Sequence, residues 1–90
     1  MRERDIERYL VAQVKRLGGE VRKVQWIGRR GAPDRFVMLP GRSIWVELKA
    51  YGKQVPAYQV REHDRMRRMG QGVVVIDSLP GVDKLLYEDQ

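Results

Sequence analysis

Residues 73–76, VVVI, form an unbroken apolar run, with Gly70-Gln71-Gly72 before it and Asp77-Ser78 after it. A strand without a polar face is expected where both faces of its sheet are covered. The run follows residues 56–69, which open on Pro56, end at Gly70 and read as a helix. A helix inserted between two strands favours a parallel pairing, because antiparallel neighbours can be joined by a tight turn. This arrangement predicts a mixed sheet of the α/β class.

The remaining segments agree with that class. Ile6, Leu10, Val14 and Leu17 recur at spacings of four, four and three, so residues 3–17 read as an amphipathic helix stopped by Gly18-Gly19. Residues 20–27, EVRKVQWI, alternate as a strand and lead into the loop GRRGAP. Residues 34–39, DRFVML, form a second strand, which Pro40-Gly41 turns into a third over 43–50, SIWVELKA. After Pro80-Gly81, VDKLLY reads as a short closing helix. The predicted order is α-β-β-β-α-β-α, and ninety residues accommodate one hydrophobic core, so residues 1–90 are expected to form a single domain.

Composition narrows the chemistry. There is no cysteine, so disulfides and thiolate metal sites are excluded, and a lone histidine argues against a conventional zinc site. No apolar run approaches the roughly 20 residues needed to span a bilayer, and the charged start MRERDIERYL is unlike a signal peptide. A soluble, cytoplasmic protein without a membrane partner is expected. Eighteen Lys and Arg against twelve Asp and Glu give a net charge of +6. Thirteen of the eighteen are arginine, the residue suited to bidentate phosphate contact, which favours nucleic acid as partner.

Along residues 43–50, Ile44, Val46, Leu48 and Ala50 share one strand face, and Trp45, Glu47 and Lys49 the other. On the strand alone, Glu47 and Lys49 read first as a solvated charge pair worth under about 1 kcal/mol. Asp34 changes the weighing. It stands directly behind Gly31-Ala32-Pro33, where proline restricts the backbone that carries the carboxylate. Two carboxylates on adjacent strands can converge on a hard cation such as Mg²⁺, and a lysine on the same face can polarise water or a phosphoryl oxygen. Glu7 lies at the edge of the apolar arc of the first helix and Glu3 projects inside it, so either could supply a further acid. On the second long helix Tyr58, Met66 and Met69 form an apolar stripe with Glu62 among them. Gln59 lies alongside, and His63, four residues on, reads as a packed residue.

Gly31-x-Pro33-Asp34, followed after twelve residues by Glu47-x-Lys49 on a strand, resembles the PD-(D/E)XK nuclease signature. Ile6-Glu7-Arg8 on a preceding helix, Gln59 in PAYQVREHDRM and the closing GVVVIDSLPGVDKLL extend the likeness over nearly the whole chain. Together they resemble the VRR-NUC family, particularly its compact stand-alone, phage-encoded members.

The resemblance implies a restriction-endonuclease-like mixed β-sheet flanked by helices. It implies Mg²⁺, with Mn²⁺ as a substitute, and no organic cofactor. Glu7, Asp34, Glu47 and the main-chain carbonyl of Leu48 would hold the metal, with Glu3 competing for the place of Glu7. Lys49 would orient water or stabilise charge, and Gln59 would support the site. Arg29, Arg30, Arg35 and Lys53 near the site loops, with Arg61, Arg65 and Arg68 on the second helix, could track phosphates. Trp26, Trp45 and Tyr51 could stack on bases, although strand aromatics are more often core. The expected function is structure-selective cleavage of branched DNA such as a Holliday junction, by a homodimer in a bacterial or phage-infected cell, with a non-catalytic nucleic-acid-binding module on the same fold as the alternative.

Overall fold

The computed structural model describes residues 1–88. The elements run α1 (Glu3–Arg16), β1 (Glu20–Lys23), β2 (Arg35–Leu39), β3 (Arg42–Leu48), α2 (Ala57–Arg68), β4 (Val73–Ile76) and α3 (Leu79–Asp83). A wide π-helical turn, Lys84–Glu88, follows α3. The four strands lie in sequence order in one sheet. β1, β2 and β3 are antiparallel neighbours, and β4 joins β3 in parallel, with α2 as the crossover between them. The predicted order and the mixed α/β sheet are both present.

Register divides the sheet into two faces. Val21 pairs with Val37 and Val37 with Ile44, while Val46 pairs with Val74 and Leu48 with Ile76, so these residues share one side. Against that side packs α1, whose Ile6, Leu10 and Val14 are fully buried. Glu3 and Asp5 in its first turn and Lys15 and Arg16 in its last oppose the helix dipole at both ends. Ser78 caps α3 by accepting from the Gly81 amide at 3.0 Å, and the turn that follows buries Leu85 and Leu86 beside Val82 in the same core. Tyr9 donates to Asp83 at 2.7 Å and fastens α1 to α3.

The structure departs from the sequence reading in four places. β1 stops at Lys23 instead of reaching Ile27. Beyond the Val24 amide, which donates to the Asp34 carbonyl at 2.8 Å, the chain leaves the sheet. β4 is an edge strand, and Val75 is exposed rather than enclosed, because it pairs with Glu47 on the face that carries the site residues. On α2 the buried residues are Glu62, His63 and Met66, whereas Met69 follows the last turn and lies in solvent. The closing helix is two pieces, α3 and the π-helical turn, which bring the consecutive Leu85 and Leu86 both inward.

α1 is the main lid on the core, so truncating it tests the packing. Leu10→Ala is expected to lower unfolding stability by about 2–5 kcal/mol, the usual range for emptying a sealed site. Urea denaturation followed by circular dichroism measures it, and a loss below about 1 kcal/mol would show that α1 does not seal the core.

Candidate active site

Asp34 immediately precedes β2 and Glu47 lies in β3. One step beyond the Arg35–Val46 rung, the same register sets Asp34 opposite Glu47. Cross-strand neighbours of this kind have Cβ atoms about 4.5–5.5 Å apart. Lys49 follows two residues later on the same face, with Nζ 3.5 Å from Glu47 Oε2. Only 9% of Glu47 is exposed, an unusual placing for a carboxylate. Burial pushes its carboxyl above the ordinary range, and the charges of Asp34 and Glu3 push the same way. Lys49 opposes them by charge and by hydrogen bond.

The two glutamates of α1 do different things. Glu7 accepts a hydrogen bond from Arg35 Nε, while Arg35 Nη1 lies 2.7 Å from Asp34 Oδ1. Burial works against the Arg35 charge, but the bond with Glu7 and the charges of Asp34 and Glu7 outweigh it and raise its pKa. Arg35 therefore differs from the expected phosphate-tracking residue: it is buried and committed to two carboxylates. The cause is strand alternation, which turns it to the α1 side of the sheet, away from Glu47. Glu3, near the helix start, acts on Glu47 through its charge.

α2 holds the loop that carries Asp34. Gly31 has φ +89°, and a Cβ there would come within 3.1 Å of the Tyr58 ring and main chain, so only glycine permits this approach. Buried His63 hydrogen-bonds the Gly31 main chain. The Arg30 guanidinium lies 3.9 Å from the centre of the Tyr58 ring. Arg29 is 3.6 Å from buried Glu62, which also pairs with Arg65 at 3.1 Å. Arg29, Arg30 and Arg65 remain exposed, as do Lys53, Arg61 and Arg68. Trp26 folds back so that its indole N–H donates to the Pro33 carbonyl at 2.9 Å, and its ring tilts against Trp45 at 5.1 Å. Sequence reasoning missed the positioning roles of Arg35 and Glu62, whereas His63 is the packed residue it was read as, with the Gly31 main chain as a partner that the sequence did not name. Its spacing of four from Gln59 puts both on one side of α2.

The donor set was weighed against a divalent cation. Among the described residues no three Asp, Glu or His side chains close into a ready metal cage. Mg²⁺ does not require one, since one or two carboxylates plus waters and substrate phosphate commonly hold it. Glu47 and Asp34 provide hard oxygens at neighbouring positions, and the raised carboxyl of Glu47 is the kind of strain a cation relieves. Gln59 Oε1 is buried without a hydrogen-bond partner and can accept from a metal-held water or from a donor on the substrate. These residues fit the group.

His63 makes the anchorage of this loop sensitive to acid. Its pKa is lowered from 6.5, first by burial and then by the Arg67 charge. Between the lowered folded value and the ordinary one, the unfolded chain binds more protons, so stability rises with pH through that window. The contribution is complete above about pH 6.5 and is lost as the pH falls below it. Relative to wild type, His63→Gln is expected to flatten the acid side of the stability profile, measured by urea unfolding between about pH 5 and pH 7.5. An unchanged slope would place the acid sensitivity elsewhere.

No protein-family model matches the chain. A phage protein named "Putative nuclease p44", from Acyrthosiphon pisum secondary endosymbiont phage 1, is 48% identical over 79 residues, which cover 87% of this chain and 85% of the relative. A solved structure described as a VRR_NUC domain superposes with a TM-score of 0.89 at 39% identity, covering 98% of this chain and 97% of that one. Identity at these levels over nearly the full length, on the same fold, is more than a shared architecture: the chain belongs to the VRR-NUC family of nucleases.

Proposed function

We propose that the chain is a metal-dependent DNA endonuclease that cleaves branched DNA, acting as a homodimer. The observation that carries this reading is the buried Glu47 carboxylate, opposite Asp34 and beside Lys49. A solvated charge pair, the alternative left open by the strand, does not account for its burial.

Asp34, Glu47 and the main-chain carbonyl of Leu48 are the proposed ligands of Mg²⁺ or Mn²⁺. Glu7, which shares Arg35 with Asp34, is the first-helix acid placed in the set. When bound, such a cation supplies Lewis acidity toward a phosphoryl oxygen and lowers the pKa of a water. The protein's own groups do the rest. Lys49, held 3.5 Å from Glu47 with little exposure, offers a positioned cation to the negative charge that builds on the phosphate. Gln59 Oε1 orients a donor at the site. Arg35 holds Glu7 and Asp34 against their mutual repulsion, and Glu3 adds negative field at Glu47. Water adds to phosphorus as the bond to the 3′-oxygen breaks, leaving a 5′-phosphate and a 3′-hydroxyl. Exposed Arg29, Arg30, Lys53, Arg61, Arg65 and Arg68 supply the phosphate contacts. A net charge of +6 supports nucleic acid as the substrate. A homodimer would present two such sites to a four-way junction, whose arms are themselves related by pseudo-two-fold symmetry.

Lys49→Ala is expected to lower cleavage about 10²- to 10³-fold, the cost of losing one charge-stabilising donor, with Asp34→Asn and Glu47→Gln at least as severe. Glu7→Gln is expected to lose more than Glu3→Gln. Asp34→Asn, Glu47→Gln and Lys49→Ala should leave folding largely intact, and EDTA should stop the wild type until Mg²⁺ or Mn²⁺ is restored. A panel of labelled junctions, flaps and plain duplexes, with solution mass measured alongside, reads each point. Cleavage at the wild-type rate by Glu47→Gln would overturn the catalytic assignment and leave a DNA-binding module.

A further inference from the structure

Ile27 is 97% exposed, more than any other large hydrophobic side chain among the described residues. It is not carried on a loose strand of chain. On one side Trp26 is fixed by its bond to the Pro33 carbonyl and by contact with Trp45. On the other, Arg29 reaches Glu62, Arg30 lies over Tyr58, and Gly31 abuts α2. Gly28, with φ +76° and open space where a side chain would be, turns the chain between these anchors. The 26–30 loop thus has both ends fastened and an isoleucine at its tip.

At its base opens a groove of about 560 Å³, lined by Lys23, Trp26, Arg29, Gly31 and Asp34 among others. It combines two cations, an aromatic ring and the carboxylate of the candidate active site. Lys23 and half-exposed Arg29 suit phosphates, and the partly open Trp26 ring suits a base. A second copy of the chain is the less fitting occupant, since it would bring its own excess positive charge to this basic loop.

We propose that the 26–30 loop is an unstacking wedge. Ile27 enters a base step of the duplex bordering the scissile phosphate, and the groove between Lys23, Trp26 and Asp34 receives the nucleotide it displaces. Apolar side chains inserted between base steps kink DNA in this manner, and steps next to a branch are the easiest to open. The substrate class is then duplex DNA with a weakened step. The inference rests on the nuclease reading of Asp34 and Glu47.

The test reads unstacking, not cutting. The Glu47→Gln protein is titrated onto branched DNA carrying 2-aminopurine at successive positions around the branch. Fluorescence is expected to rise several-fold at one or two adjacent positions. In the double variant Ile27→Ser, Glu47→Gln the rise should vanish at saturating protein, with affinity kept within about tenfold because phosphate contacts dominate binding. Ile27→Leu should restore the signal. An equal rise with Ile27→Ser overturns the wedge. A far larger loss of affinity overturns it too, by making Ile27 a general docking contact, and so does a fall in solution mass, which would assign Ile27 to an interface between copies. Failure here leaves wild-type cleavage untouched, and absence of wild-type cleavage leaves the fluorescence readable, so the two readings fail separately.

Discussion

A guanidinium between two carboxylates joins the two halves of this small protein. Arg35 sits in the layer between sheet and α1, pairing with Asp34 just ahead of its strand and across the layer with Glu7. Charges are costly to bury unless matched, and removing either partner leaves the other uncompensated. The packing of α1 through Ile6, Leu10 and Val14 and the placing of Asp34 are therefore parts of one arrangement. An apolar residue at position 35 would serve the core equally well. It would leave Asp34 and Glu7 to repel each other, and the site would lose its link to the helix.

α2 performs the matching task on the opposite face. Its buried side is largely polar, with Glu62 and His63 beside Met66, which is unusual for a helix packed on a sheet. Each polar group reaches the segment between β1 and β2: His63 to Gly31, Glu62 to Arg29, and Tyr58 beneath Arg30. The helix spends its inward face on holding a loop rather than on enlarging the core. A ninety-residue chain has little core to spare, so α1, α3 and the π-helical turn supply what packs on the sheet's Val37, Val46, Leu48 and Ile76.

Most of the architecture was legible because it rests on periodicity. The 3.6-residue repeat of Ile6, Leu10 and Val14 and the alternation of Ile44, Val46 and Leu48 each identify an element and its inward face. Asp34, Glu47 and Lys49 were legible because strand geometry places them on one face and a proline turn precedes them. Other features lay beyond local pattern. Nothing in Pro33-Asp34-Arg35 says that the arginine faces the core, since that depends on which side α1 covers. The end of β1 depends on the length of its partner, and the exposure of Met69 on where α2 stops. The family resemblance supplied the order of the candidate site residues, but the means by which they are held was visible only in the fold.

The start of the chain has a practical bearing. The Met1 carbonyl accepts from the Tyr51 amide at 3.2 Å, so the first residue is hydrogen-bonded two residues past Lys49 in the chain. Glu3 follows within the first helical turn and exerts its charge on Glu47. Anything fused ahead of Met1 emerges near the candidate site and not from a neutral surface. An amino-terminal affinity tag would begin beside the segment that follows Lys49, and a basic one would bring its charge toward Glu47.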